Sequence, residues 1–195
     1  MYAHNIKSRI ACLIAAPLLA ASAAHAESSI SFLVAGEAYE GQPAFEIRLG
    51  DKVIGRGALE KAIDTVAEGR LFFSPAPDEY IERFEFRVAD KDFKADAPVS
   101  IVLVNDKFKE EGWGRDRNLF VRSIEVNGLT VRAGSLQLMD GTMEQRVNFQ
   151  AGLLPVYHQN HMAVATPPEG GWPMPAAATR SSRLTAKPEA GGAGG

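Results

Sequence analysis

Two carboxylates, Asp106 and Asp116, stand at the two ends of one loop, residues 107–115, which carries Lys107, Lys109, Trp113 and Arg115 and is interrupted by Gly112 and Gly114. Like charges gathered at a loop mouth repel, so the arrangement calls for a protonated carboxyl, an intervening basic side chain or a bound cation. The donors on offer are Asp, Asn and loop carbonyl oxygens, which suit calcium, a cation that takes about six to eight oxygens in flexible geometry. Cysteine and imidazole donors, which select softer metals, are missing from the stretch. Gly112 and Gly114 leave the backbone free to turn carbonyls inward. The alternating acids and terminal Glu of a helix-loop-helix calcium site are absent. Pairing of both acids with Lys107, Arg115 or Arg117 on a solvated surface therefore stands as the alternative, and spacing alone does not decide between the two.

The elements that must position this loop read as strands. Apolar residues alternate with polar ones at Ile30, Phe32 and Val34, at Phe45, Ile47 and Leu49, and at Tyr80, Phe84, Phe86 and Val88, the period of half-buried strands. Residues 99–104 form a continuous run rich in β-branched residues, of the kind found in a central strand. Residues 118–126 alternate again, with a change of register near Arg122-Ser123. Gly50-Asp51 and Asn127-Gly128 mark hairpin turns, and further short strands are expected at residues 136–139, 147–149, 153–157 and 162–165. Many short strands separated by Gly, Asp and Asn predict an all-β fold, an antiparallel, jelly-roll-like β-sandwich. Leu59, Ala62, Ile63 and Val66 fall at helical spacing ahead of Gly69, which predicts one short helix over residues 58–68.

The chain of 195 residues opens with Lys7 and Arg9, an apolar run over residues 10–24 and the small-residue pattern Ala24-His25-Ala26. This is the pattern of a cleaved secretory signal peptide, so residues 1–26 are expected to be removed and the protein to be secreted or periplasmic. The single cysteine, Cys12, lies inside the apolar run, which argues against a lipid anchor and leaves the mature chain without thiol chemistry. A single sandwich domain over residues 27–165 is expected. Residues 166–195 turn to Pro, Gly, Ala and Ser and are expected to be a disordered tail, with Trp172 at its start available to dock on the sandwich edge. The formal net charge of -3 is mixed along the chain, so no nucleic-acid footprint is visible, and no further apolar run reaches membrane-spanning length. Oligomeric state is not legible.

Three stretches together carry a resemblance: Val104-Asn105-Asp106, then Gly114-Arg115-Asp116-Arg117-Asn118-Leu119-Phe120-Val121, then Ile124-Glu125-Val126-Asn127-Gly128. With residues 36–45 and 49–55 upstream, they resemble the calcium-dependent xylan-binding carbohydrate-binding modules over roughly residues 30–130. The resemblance implies a β-sandwich that binds polysaccharide without cleaving it, with Ca2+ held at a loop edge and coordinated by vicinal sugar hydroxyls. By position it implies Asp106 and Asp116 as carboxylate ligands, the Arg115 carbonyl as a third, and Asn118 and Glu37 as further ones.

Trp113, Tyr39 and Arg117 are the side chains placed to touch a sugar. Each has a plainer role: Trp113 as the pin of its loop, Tyr39 as a core residue, Arg117 as the partner of Asp116. His158 and His161 would suit a metal only on a helix, and Pro155 with Asn160 argues for a strand and turn. No Ser-His-Asp grouping or phosphate-binding glycine loop is present, and nothing nominates a particular glycosidase carboxylate pair. The expected function is calcium-dependent, non-catalytic binding of polysaccharide, xylan-like or an envelope glycan or exopolysaccharide, through vicinal sugar hydroxyls. The rivals are a structural envelope sandwich without a glycan ligand and, behind it, a small glycoside hydrolase.

Overall fold

The computed structural model describes residues 27–109, 114–139 and 152–175, and the backbone of 144–145. In chain order the strands are β1 (Glu27–Ala38), β2 (Ala44–Leu49), β3 (Lys52–Ala58), β4 (Ile63–Asp64), β5 (Glu82–Ala89), β6 (Val99–Leu103), β7 (Lys107–Phe108), β8 (Asp116–Val126), β9 (Leu129–Arg132), β10 (Gln137–Met139), β11 (Glu144–Gln145), β12 (Leu154–Val156) and β13 (Met162–Ala165). Among the described residues they form two sheets. One runs β12-β8-β1-β4, with β5 also on β1 and both β7 and β9 on β8; the other runs β11-β10-β13-β6-β2-β3. Apart from the short parallel pair β1 and β4, the ladders are antiparallel. The all-β sandwich read from the alternation is the fold.

Alternation also explains the core. Ile30, Phe32 and Val34 of β1 and Leu119, Val121, Ile124 and Val126 of β8 turn inward to meet Phe45, Ile47 and Leu49 of β2 and Val99, Ile101 and Leu103 of β6. Each such side chain contributes about 1.5–3 kcal/mol when fully buried. A second cluster of Ala35, Ile63, Leu71, Phe120 and Leu153 lies behind β1 and β8. The expected register change is present: Leu33 pairs with Ser123 and Val34 with Val121, so Arg122 is the extra residue of a β-bulge. The β8–β9 turn places Asn127 at φ 48° and Gly128 at φ 87°, the backbone that an Asn-Gly hairpin needs.

The helix expected over residues 58–68 does not form. Leu59 joins the main core while Ile63 joins the second cluster, and Val66 is exposed; one helical face could not serve both. β4 instead pairs with Glu37 and Ala38, and a turn follows in which the Asp64 carboxylate accepts from the backbone N–H of Val66 and Ala67. Tyr80, expected in a strand, ends the 3-10 turn Pro77–Tyr80. The domain boundary expected after Ala165 falls short of the core, because Trp172 is 2 % exposed and its indole N–H donates to the Ala97 carbonyl at 2.7 Å. The expected signal peptide, the strand at 147–149 and the tail beyond residue 175 lie outside the described residues. No described helix is long and apolar enough to cross a membrane.

Candidate functional site

Glu37 sits near the end of β1, opposite Asn118 of β8 and Ile63 of β4, and is 0 % exposed. A carboxylate so placed is costly to ionise unless its oxygens are fully hydrogen-bonded. They are: Oε1 accepts from Arg70 Nε at 2.8 Å and from the Leu71 backbone N–H at 2.7 Å, and Oε2 accepts from Asn118 Nδ2 at 2.7 Å. Burial opposes the Arg70 charge, but the bond to Glu37 and the field of Asp116 outweigh it and hold the guanidinium pKa above its usual value. Glu37 is thus committed to the protein. The metal-ligand role expected of it from the sequence competes with these three bonds.

Asp116 and Asn118 share one face of β8. Asp116 Oδ2 lies 3.6 Å from Arg70 Nη2, so Arg70 stands between Glu37 and Asp116. Sequence reasoning missed Arg70, which is remote in the chain and preceded only by a turn glycine; Lys107, Arg115 and Arg117 were the neutralising residues it considered. Lys107 instead pairs with Glu40, and that bond, with help from Tyr39, holds the Glu40 carboxyl below its usual range. Asp106 lies on the far side of the loop mouth. Its backbone N–H donates to Gln159 Oε1 at 2.9 Å, while its Oδ1 is buried without a hydrogen-bond partner among the described residues. Desolvation and the charge of Asp116 push the Asp106 carboxyl above its usual pKa, against a weaker opposing pull from His158. The two carboxylates are therefore brought close enough to repel, as their spacing required. Asn118 Oδ1 is likewise buried without a partner.

Arg117 points to the other face. Its guanidinium donates to the carbonyls of Tyr39 at 2.7 Å, Glu40 at 2.5 Å, Gly41 at 3.1 Å and Asn105 at 2.8 Å and is 8 % exposed. It ties the β1–β2 turn to the end of β6 and is available neither to a sugar nor to Asp116, which corrects both sequence readings of it. Tyr39, 8 % exposed, is a core residue and not a stacking platform. The Arg115 carbonyl accepts from Lys109 N at 3.0 Å, closing the β7–β8 hairpin, and retains a second lone pair. Trp113 lies outside the described residues. Tyr157, which sequence reasoning did not single out, reaches the site from the end of β12: it packs edge-on to Phe120 at 6.0 Å, and burial with the negative charge of Glu37 raises its phenol pKa. His158 and His161 pack edge-to-face at 4.8 Å in the turn that follows.

Residues 29–139 match the family described as Ca-dependent carbohydrate-binding module, xylan-binding (CBM60). The chain belongs to this family. Family membership makes it a carbohydrate-binding module with no catalytic role. Two solved structures are similar to it: vCBM60 in complex with galactobiose, 14 % identical, covering 71 % of this chain and 97 % of that one with a TM-score of 0.42, and the selenomethionine form of vCBM60, 17 % identical, covering 71 % and 90 % with a TM-score of 0.43. No curated protein matches the chain.

The family is calcium-dependent. Among the described residues no group of three or more His, Cys, Asp or Glu side chains gathers as a metal site. Two oxygens nonetheless meet the requirement of a hard cation: Asp106 Oδ1 and Asn118 Oδ1 are buried and unpartnered, and Asp106 is raised in pKa by a neighbouring carboxylate that a cation would screen. Asp106, Asp116 and Asn118 fit calcium, while Glu37 is engaged by Arg70, Leu71 and Asn118.

Proposed function

We propose that this module binds polysaccharide, xylan or an envelope glycan, through a calcium ion held by Asp106 and Asp116, with Asn118 Oδ1 and the Arg115 carbonyl as further oxygen donors. Calcium, when bound, offers open positions to two vicinal sugar hydroxyls. The observation that carries the reading is the unpartnered, buried Asp106 Oδ1 beside a second carboxylate, an arrangement that costs stability unless a cation relieves it. Residues of the chain do the remaining work. Glu37 and Arg70 fix the Asp116 side of the mouth, Arg117 ties the β1–β2 turn to Asn105, and Gln159 anchors the Asp106 backbone. The pattern of residues 1–26 supports export, so the glycan is proposed to be met outside the cytoplasm.

One observation favours a second reading. Arg70 already lies 3.6 Å from Asp116, so a guanidinium could do part of the neutralising and leave a sandwich without a metal-bound ligand. Retention on insoluble xylan separates the two. Retention that needs calcium, is reversed by EDTA and is lost in Asp116→Ala supports the glycan reading. Absence of calcium uptake by calorimetry at millimolar ion overturns it.

A further inference from the structure

The outer face of the β12-β8-β1-β4 sheet carries a groove of about 440 Å³ that shares no residue with the loop site, a volume within the roughly 300–1,000 Å³ of small-ligand pockets. Its floor sets two hydroxyls beside an apolar side chain, Leu33: Ser31 of β1 and Ser123 of β8 are 2 % and 6 % exposed and point away from the sandwich core. Its walls are basic. Arg83 comes from β5, Arg132 from β9, opposite Ser123 in register, and Arg122 from the bulge of β8. Bulges redirect side chains out of the pleat; here the extra residue is a cation delivered to a groove that already holds two.

The charge of this lining is not that of an ordinary solvated sheet face. Three guanidinium groups meet one carboxylate, Glu125, in a chain whose formal net charge is -3. Glu125 divides itself between Arg83, at 3.7 Å, and the Thr130 hydroxyl, at 3.1 Å. Arg122 pairs with Asp78, which is 70 % exposed and outside the lining. Arg132 is exposed and forms no ion pair with the described residues. An uncompensated guanidinium is a bidentate receptor for a carboxylate, and the hydroxyls of Ser31, Ser123 and Thr130 complement those of a sugar ring. The lining contains no aromatic side chain, so recognition runs through hydrogen bonds and charge and not through stacking.

We propose that this groove is a second glycan subsite, selective for a uronic-acid unit, whose carboxylate is taken by Arg132 and Arg83 while its ring hydroxyls meet the serine and threonine floor. That the ligand is a glycan rests on the proposed function above; that it is anionic rests on the groove itself. Binding here needs no calcium, which lets the two sites be tested apart.

The test is calorimetric titration of residues 27–195 with tri-galacturonate in excess EDTA, beside the fully methyl-esterified trimer. Charge-assisted hydrogen bonds are worth about 1.5–3 kcal/mol, about 10- to 100-fold in affinity. The acid is therefore expected to bind at least about tenfold more tightly than the ester, Arg132→Gln and Arg83→Gln each to weaken the acid by about tenfold, and added salt to weaken it further. Both variants lie on exposed strands, and retention on xylan in calcium reports their folding. No uptake of the acid in EDTA, equal uptake of acid and ester, or unchanged uptake in both variants overturns the proposal. Xylan retention indifferent to EDTA would instead count against the calcium reading and leave this one standing.

Discussion

Glu37→Ala removes the carboxylate from which one wall of the loop site is suspended. Three donors would lose their acceptor: Arg70 Nε, the Leu71 N–H and Asn118 Nδ2, all now at 2.7–2.8 Å. Stripping one partner from a buried ion pair costs roughly 3–5 kcal/mol, because the other charge is stranded where water cannot reach it. The Arg70 side chain is 25 % exposed and recovers some hydration, which places the expected loss near the lower end, about 3 kcal/mol. For a domain of this size that lowers Tm by roughly 6–12 °C. Glu37→Gln is the informative companion. Its carbonyl still serves Arg70 and Leu71, and its new N–H group needs an acceptor, which Asn118 Oδ1, unpartnered at present, supplies once that amide turns over and takes the oxygen away from the loop mouth. Loss of charge assistance alone should cost about 1–2 kcal/mol, a fall in Tm of roughly 2–8 °C. Circular-dichroism melts in EDTA and in calcium measure both effects. With the Asn118 oxygen turned away, calcium keeps Asp106 and Asp116 but loses one donor, so the stabilisation that calcium confers should shrink in Glu37→Gln without vanishing. Melting of Glu37→Ala within about 2 °C of wild type would refute the network's role; loss of the calcium increment in Glu37→Gln would restore Glu37 as a ligand.

Asp106 should destabilise the metal-free protein. Its folded pKa is raised above the unfolded value of about 3.9, so ionised Asp106 subtracts stability above the folded pKa; the penalty fades as pH falls through it and is gone below about 3.9. In EDTA at neutral pH Asp106→Asn is thus expected to melt higher than wild type, with the advantage vanishing on acidification and reversed by calcium. A variant that melts lower than wild type in EDTA at neutral pH would contradict this. Gly36→Ala places a Cβ 2.4 Å from Leu59 Cδ1 and 2.8 Å from Pro43 Cγ, an overpacking worth about 1–3 kcal/mol in urea melts, and an unchanged urea midpoint would show that those side chains yield freely.

What could be read in the chain was whatever depends on near neighbours. Alternation placed the strands around Phe32 and Phe45, a continuous run placed the one around Ile101, the Asn-Gly pair placed the β8–β9 turn, and the broken alternation at Arg122 located the bulge. The repulsion of Asp106 and Asp116 was also legible, because both flank one loop. The partners of those acids were not. Arg70 reaches Glu37 and Asp116 only because the chain between β4 and β5 folds over the end of β1, and Arg117 faces carbonyls because position 117 alternates away from Asp116 and Asn118. The helical spacing of Leu59, Ile63 and Val66 misled for the same reason: it recorded apolar residues without recording that two different clusters claim them.

The family match ends at residue 139, yet the fold does not. β12 covers the edge of β8 at Leu119–Val121, and β13 lies between β6 and β10. All five residues of β6 are buried, and a buried strand edge left without partners is among the more costly defects a sheet can carry. The turn joining β12 to β13 also braces the loop site: Gln159 Oε1 accepts from the Asp106 N–H and Gln159 Nε2 donates to the Val104 carbonyl at 2.7 Å. Beyond it, Trp172 seals the core beneath Ala95 and Ala97. The matched segment is therefore an incomplete folding unit in this chain, and its candidate site is held from outside it. A fragment of residues 27–139 is expected to show no cooperative thermal transition, while residues 27–175 melt cooperatively. A shorter fragment that unfolded in one sharp transition and took up calcium as the longer one does would show that β12, β13 and Trp172 decorate a sandwich that stands without them.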